Sequence, residues 1–433
     1  MRVVRLEAGQ RPASELLQRA AAFDAAVQES VTGIIAAVRA RGDEAVSAYT
    51  FEYDKAKLLE FRVPQALIDG AAKAVDKKVY AALQAAAASI TAFHMRQAQQ
   101  SFFDARPDGS LVGSRITPIE SVGIYVPGGR AKYPSTVLMN ALPARVAGVR
   151  RIAMVTPPGP DGRVDPVTLA AAQIAGVSEV YAVGGAQAIA ALAYGTAQIA
   201  KVDKITGPGN AYVAAAKRMV SGDVGIDMVA GPSEVLVLAD ETAEPSLIAI
   251  DLMAQAEHDP NAACYLVTID ETLVEDVLEE IEGFLLDTPR AGITRASLDN
   301  NGIIFVAPDL ATALLAVNAI APEHLEVQMD QPLELLGLIE NAGAIFLGTW
   351  TPESVGDYVA GPNHTLPTGG TARFASPLSV DDFVKRSSVI NYSYAALDNA
   401  RDTIITLAEQ EGLWAHAKAV KARFELLEDD GEE

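Results

Sequence analysis

The chain has a single cysteine, Cys264, in 433 residues. A lone thiol excludes an internal disulfide framework and any cysteine-built zinc cage, and it suits a reducing compartment. Its neighbours, "ACYLVTID", predict a small buried strand residue. Positive charge is scarce: 34 Lys plus Arg stand against 56 Asp plus Glu, for a formal net charge of -22. That excess argues against a nucleic-acid backbone or an anionic membrane as partner, and solubility is its simpler meaning. The most hydrophobic stretch, residues 176–200, is broken by Glu179, Gly184-Gly185 and Gln187, so it reads as strand, turn and helix rather than a membrane span. The opening "MRVVRLEAGQRPASELLQRAAAF" has no apolar core of signal-peptide length, and a cytoplasmic location is expected. The usual dinucleotide and P-loop fingerprints, GxGxxG and GxxxxGK[ST], do not occur, nor does HExxH.

Half of the residues are hydrophobic, ample for two or three packed domains. Residues 1–110 are mainly helical in pattern, with alanine-rich amphipathic stretches such as "DKKVYAALQAAAASITAFHMRQAQQ". From 121 onward short apolar runs ("SVGIYVP", "RRIAMVTP", "EVYAVGG", "VDKITGPG", "EVLVLAD", "CYLVTID", "GIIFVAP", "GAIFLG") alternate with helical segments. Alternation of this kind implies βαβ units and parallel sheets covered by helices. The expected architecture is α/β. A first α/β domain is placed at 111–232 and a second at 233–375, with a seam near "AGPSE" at 230–234. Residues 376–433 are expected to form a helical tail, acidic at its end, that can dock on another subunit.

Five histidines are available for chemistry. His94 sits in the alanine-rich helix and reads as structural or surface. His258 belongs to "AQAEHDP", where a helix predicted from Ser246 to Asp259 places Gln255 and His258 on one face. Taken alone, such a pair is more often two satisfied polar groups than a ligand site. Gln255, His258, Asp357 and His416 would make a nitrogen and oxygen set for zinc, but glutamine is an uncommon zinc ligand and spacing alone makes the case weak. In "PEHLE" a proline turns the chain after the helix at 310–320. Glu323 and His324 are thereby held at a helix-to-strand edge, where α/β proteins keep active sites and where carboxylate and imidazole can divide base work. The alternative is an ordinary charged turn. Three glycine-rich turns, at 125–136, 183–191 and 207–217, each follow a strand, and the last two open into helices. Backbone N–H groups at such starts bind phosphate, so these turns fit an anion or a nucleotide as well as mere tight turns.

Taken together, "VGIYVPGGRAKYPSTVLMNALPARVAGV", "VGGAQAIAALAYGT", "KITGPGNAYVAAAKR", "IDMVAGPSEVLVLAD", "AQAEHDP", "PEHLE", "GDYVAGPNHTLPT" and "EGLWAHA" resemble the histidinol dehydrogenase family, in this order from about residue 30 to 420. The resemblance implies two incomplete Rossmann-like domains and a zinc-containing, NAD-dependent homodimer. Its reaction would be oxidation of L-histidinol to L-histidine, the last step of histidine biosynthesis, by two hydride transfers through a bound aldehyde. It implies one zinc per subunit on Gln255, His258, Asp357 and His416, the last from the partner subunit. Glu323 is implied to activate water, and His324 to take protons. Ser233, His364 and Glu411 would line the substrate pocket together with Gln255, His258, His324, Asp357 and His416. Tyr125, Gln187 and Asn210 match the family's NAD contacts. The chemistry is coherent: an alcohol losing hydride needs a base near neutral pKa, and the aldehyde needs water before a second hydride can leave. Three other readings are a same-scaffold dehydrogenase for another small alcohol, a metal-dependent hydrolase, and a two-lobed binding protein.

Overall fold

The computed structural model describes residues 1–17, 25–128, 132–229 and 231–429. It separates into two compact units: Met1–Ala98 with Ile119–Phe383, and Gln99–Pro118 with Val384–Glu433. Ala230 of the expected seam and residues 129–131 of the first glycine-rich turn lie outside the described residues.

The larger unit holds two parallel sheets. In the first, Ser121–Tyr125 (β4), Arg151–Thr156 (β5), Glu179–Ala182 (β6), Lys204–Thr206 (β7) and Gly225–Ile226 (β8) are ordered β6-β5-β4-β7-β8. The chain builds outward from β4 to β6, then returns to place β7 on the other side of β4. Alternating side chains feed opposite layers. Ile124 and Met154 pack with helices Pro134–Ala147 and Pro166–Ala175, while Ala153 and Val155 pack with Gly185–Tyr194 and Ala211–Val220. The N-terminal helices Lys77–Met95 and Ala25–Arg41 complete one layer each, so both faces are covered and the strands read as apolar runs.

The second sheet comprises Arg2–Arg5 (β1), Glu234–Ala239 (β9), Ala263–Thr268 (β10), Gly302–Val306 (β11), His324–Gln328 (β12) and Ala344–Leu347 (β13) in the order β1-β11-β10-β9-β12-β13. Here the direction of building reverses between β9 and β12. Leu236, Leu238, Leu325 and Val327 face helix Leu310–Ile320. Val235, Val237 and the buried Cys264 face helix Pro245–Ala256. β1 is an edge strand paired in parallel to β11 inside the segment expected to be helical.

In the smaller unit Phe102–Ala105 (β2), Leu111–Pro118 (β3) and Val384–Asn391 (β14) form an antiparallel sheet. Helices Tyr394–Gln410 and Trp414–Asp429 follow, so the tail is helical after an opening strand. Among the described residues no helix is long and apolar enough to cross a membrane.

Candidate active site

Helix Leu310–Ile320 ends at Ala321, which takes the left-handed conformation at φ 49° and turns the chain through Pro322 into β12. Glu323 and His324 therefore enter at the amino end of that strand, next to Glu234 at the start of β9. The general edge expected from "PEHLE" is thus the amino end, whereas ligands of doubly wound sheets usually sit at the carboxyl ends. Helix Pro245–Ala256, running back antiparallel to β9, delivers Gln255 to the same end. That helix stops at Ala256, three residues short of the predicted Asp259, because Pro260 disfavours helical backbone before it. Gln255 is consequently buried in the last turn, whereas His258 lies in the following turn and is exposed.

The alternation of β12 sets His324, Glu326 and Gln328 on the face opposite Leu325 and Val327. All three polar residues are buried. His324 Nδ1 lies 2.9 Å from the Glu234 carbonyl oxygen. A carbonyl only accepts, so Nδ1 carries the proton and Nε2 the lone pair. That Nε2 is buried without a hydrogen-bond partner among the described residues. It stands 3.8 Å from Glu353 Oε1 and 4.0 Å from Asp357 Oδ1. Burial lowers the His324 pKa to about 4, opposed in part by the Asp357 charge, so the ring is neutral at pH 7 but a weaker base than the near-neutral one expected from the chemistry. Glu323 Oε2 accepts from the Glu234 N–H at 2.8 Å, which holds the carboxyl beside the imidazole.

Glu353 and Asp357 lie one turn apart on helix Glu353–Tyr358. With its amide oriented to satisfy its neighbours, Gln255 directs its nitrogen 2.6 and 2.9 Å from the two Glu353 oxygens and its oxygen 3.2 Å from the Glu234 nitrogen. Burial pushes the Glu353 carboxyl well above its usual range, and Asp357, Glu323, Glu326 and Asp251 all push it in the same direction. One donor atom from each of His324, Glu353 and Asp357 falls within 4.8 Å of the others. A concentration of buried carboxyl groups at the C-terminal end of a helix favours a cation.

His258 and His364 are near enough for their charges to act on His324. His364 Nε2 is buried without a partner among the described residues, and burial lowers that ring's pKa. Its segment is tied to the start of β9 by Gly369 N–H to Glu234 Oε1 at 2.9 Å and Gly231 N–H to Thr368 Oγ1 at 2.6 Å. Half-buried Ser233 lies between those ties. Buried His94 stands behind them, with Nε2 3.4 Å from Asn363 Nδ2 and Nδ1 2.7 Å from Gln97 Oε1. Glu411 and His416 are exposed in the smaller unit, His416 on helix Trp414–Asp429.

At the first sheet, the carboxyl ends of β4, β6 and β7 gather Tyr125, Gln187 and the loop before Asn210. Gly207 has φ +111°, and a Cβ there would fall 2.1 Å from the Tyr125 carbonyl oxygen, so only glycine allows this approach. Beneath the loop, buried Lys217 donates to the Gly207 carbonyl at 2.8 Å and pairs with Asp227, whose Oδ2 accepts from Gly207 N–H at 2.8 Å. Asn210 Oδ1 caps helix Ala211–Val220 at the Tyr212 and Val213 nitrogens. The Tyr125 hydroxyl accepts from the Gly185 N–H at 3.1 Å, where helix Gly185–Tyr194 begins. Both side-chain polar atoms of buried Gln187 lack a partner among the described residues.

A family model described as histidinol dehydrogenase matches residues 17–424. The chain belongs to the histidinol dehydrogenase family. It is 52% identical over 410 residues to a histidinol dehydrogenase of Bacillus cereus, covering 95% of each chain. It is 52% identical over 399 residues to one of Listeria monocytogenes, covering 92% of this chain and 93% of the other. The crystal structure of histidinol dehydrogenase from Elizabethkingia anophelis superposes with a TM-score of 0.92 at 37% identity, over 99% of both chains. The protein is accordingly an oxidoreductase with a dehydrogenase role in histidine biosynthesis, acting on a small molecule.

Within that family frame the residues present fit both expected groups. Buried carboxyls and the Gln255 amide form a donor set that a divalent cation would satisfy, and the His324 Nε2 lone pair beside them is left to accept a proton. Two helix starts and the orphan amide of Gln187 suit a phosphate-bearing dinucleotide. Glu234, Glu326 and Glu353 were not anticipated from sequence. The available signal was an acid inside an apolar strand, in "SEVLVLA" and "HLEVQ", and the i, i+4 spacing of Glu353 with Asp357.

Proposed function

We propose that the chain oxidises L-histidinol to L-histidine through L-histidinaldehyde, in two NAD-dependent hydride transfers, with one zinc per subunit. The carrying observation is the tautomer of His324: Nδ1 donates to Glu234 and a buried lone pair on Nε2 has no partner among the described residues. His324 Nε2 takes the hydroxyl proton of the alcohol as hydride leaves its carbon, which yields the aldehyde. His324 passes that proton to solvent; Glu323 then takes a proton from the water that adds to the aldehyde, and the neutral His324 accepts the remaining hydroxyl proton of the hydrate anion as the second hydride departs, leaving the carboxylate. Tyr125, Gln187 and Asn210 would hold NAD, which would supply the hydride acceptor, a fresh molecule for each of the two oxidations. Gln255, His258 and Asp357 would hold zinc, with His416 from a second copy of the chain; the ion supplies charge and a template for the imidazole and amine of the substrate. Ser233 and His364 would line the substrate pocket from the larger unit. Exposure of His416 in its own compact unit, with exposed Leu407 and Trp414 on the same two helices, supports a homodimer with shared sites. A cytoplasmic location belongs to the same reading.

The test is NADH formation with histidinol before and after chelation. Two NADH per histidinol, lost on chelation and restored by zinc, are expected. Turnover of another alcohol but not histidinol, or hydrolysis without NAD, would replace this reading.

A further inference from the structure

Glu326 takes no part in the chemistry above, yet it is almost completely buried two residues beyond His324, on the same face of β12. Its Oε1 accepts from the Glu353 N–H at 2.7 Å, a contact between residues 27 apart in the chain. Its Oε2 accepts from Gln328 Nε2 at 3.1 Å, and the same Gln328 nitrogen donates to Asp251 Oδ2 at 2.8 Å. Glu326 and Asp251 are themselves hydrogen bonded, one carboxyl donating to the other. The clamp therefore joins three elements: β12, helix Pro245–Ala256 through Asp251, and helix Glu353–Tyr358 through its first backbone N–H.

That third element matters because it is only six residues long and carries the two carboxyl groups that stand nearest His324 Nε2. A short helix has little packing of its own to fix its position. Its first N–H is an orphan that some acceptor must satisfy. Because the acceptor here stands on the same strand as His324, the imidazole and the carboxylates are referred to one rigid support.

We infer that Glu326 is a positioning residue, which, braced by Asp251 and Gln328, holds the Glu353 N–H and so sets Glu353 and Asp357 against His324 and Gln255. The inference rests on the dehydrogenase reading of that site and deepens it. It also assigns Gln328 and Asp251 a role as the brace, although neither faces His324.

The experiment compares Glu326→Ala, Glu326→Gln and Gln328→Ala in the full chain, measuring kcat and KM for histidinol, zinc affinity by chelator competition, and thermal denaturation. Loss of an outer hydrogen-bond partner commonly costs about tenfold or more in metal affinity or activity. Glu326→Ala is expected to lose about tenfold or more in zinc affinity and in kcat, with KM changed by less than about threefold. Glu326→Gln keeps an oxygen for the Glu353 N–H and gains a donor for Asp251 in exchange for the bond accepted from Gln328 Nε2, so it should restore both quantities to within about threefold. Gln328→Ala, which loosens the brace alone, should shift both in the same direction by about two- to fivefold.

Folded Glu326→Ala with unaltered zinc affinity and kcat overturns the inference, as does a folded Glu326→Gln no better than Glu326→Ala. A lowered Tm with both quantities unchanged would mean a structural role only. Should Glu326→Ala fail to fold, Gln328→Ala decides by the same two readouts, and no change there overturns the proposal. The unaltered chain separates the two readings. If it binds zinc but does not oxidise histidinol, the dehydrogenase reading fails while the zinc affinities still test the clamp. If it binds no zinc but oxidises histidinol, kcat tests the clamp.

Discussion

At the switch between β4 and β7 the polar groups are a phenol, carboxamides and backbone N–H groups; at the switch between β9 and β12 they are imidazole and carboxyl groups. The first site uses the carboxyl ends of its strands and two helix starts, at Gly185 and Asn210, where the helix dipole is positive. The second uses the amino ends and a helix finish, at Gln255, where the dipole is negative. One βαβ plan thus presents opposite electrostatic ends to its ligands. The positive helix starts of the first suit an anionic ligand, and the carboxyl groups of the second suit a cation beside a proton acceptor. The difference also concerns titration: the second site is a cluster of carboxyl groups whose protons are mutually dependent.

The sharpest test of that contrast is His324→Ala. It should lower kcat by about a thousandfold, within the range expected for a general base, while zinc content stays unchanged. Loss of zinc, or retention of more than about a tenth of the rate, would show that the imidazole belongs to the metal or to no step at all.

A smaller effect is expected at the neutral site. Gln187→Ala should weaken NAD binding by about fivefold in a fluorescence titration, because a hydrogen bond is worth about 1 kcal/mol. Stability of the free protein should be unchanged or slightly higher, since the buried amide has no partner to lose among the described residues. A destabilised but normally binding variant would make Gln187 part of the core and weaken the contrast.

The third effect is confined to pH. Burial and the adjacent Asp251 push the Glu326 carboxyl from 4.5 to about 8. Folded protein then holds more protons than unfolded chain between those values, so stability falls as pH rises through that window and levels off above it. Glu326→Gln removes this slope. The Tm of the unaltered chain should drop relative to the variant from about pH 5 to 8, then run parallel. Parallel curves throughout would mean the acidic cluster is not proton-sharing.

Legibility followed burial. The strands from Ser121 to Leu347 that lie between covering helices were readable because both faces are apolar and glycine or proline turns bound them. The antiparallel sheet was not: "VKRSSVIN" is almost wholly exposed or half-buried, so hydrophobicity leaves no mark on it. "RVVR" is too short and too charged to announce an edge strand. In the site, "PEHLE" placed Glu323 and His324 at a turn into a strand, but nothing local singled out Glu353 and Glu326. An acid in a sequence carries no record of whether water or another carboxyl will surround it.

The amino-acid sequence by itself determined the α/β plan, the family and the side chains available for chemistry, because periodicity, turn residues and local motifs are properties of neighbouring positions. Only the tertiary structure decided that Glu234 sets the tautomer of His324, that Glu353 meets Gln255 and that His258 falls beyond its helix. Those depend on strand register and on burial, which exist only once segments distant in the chain are packed together.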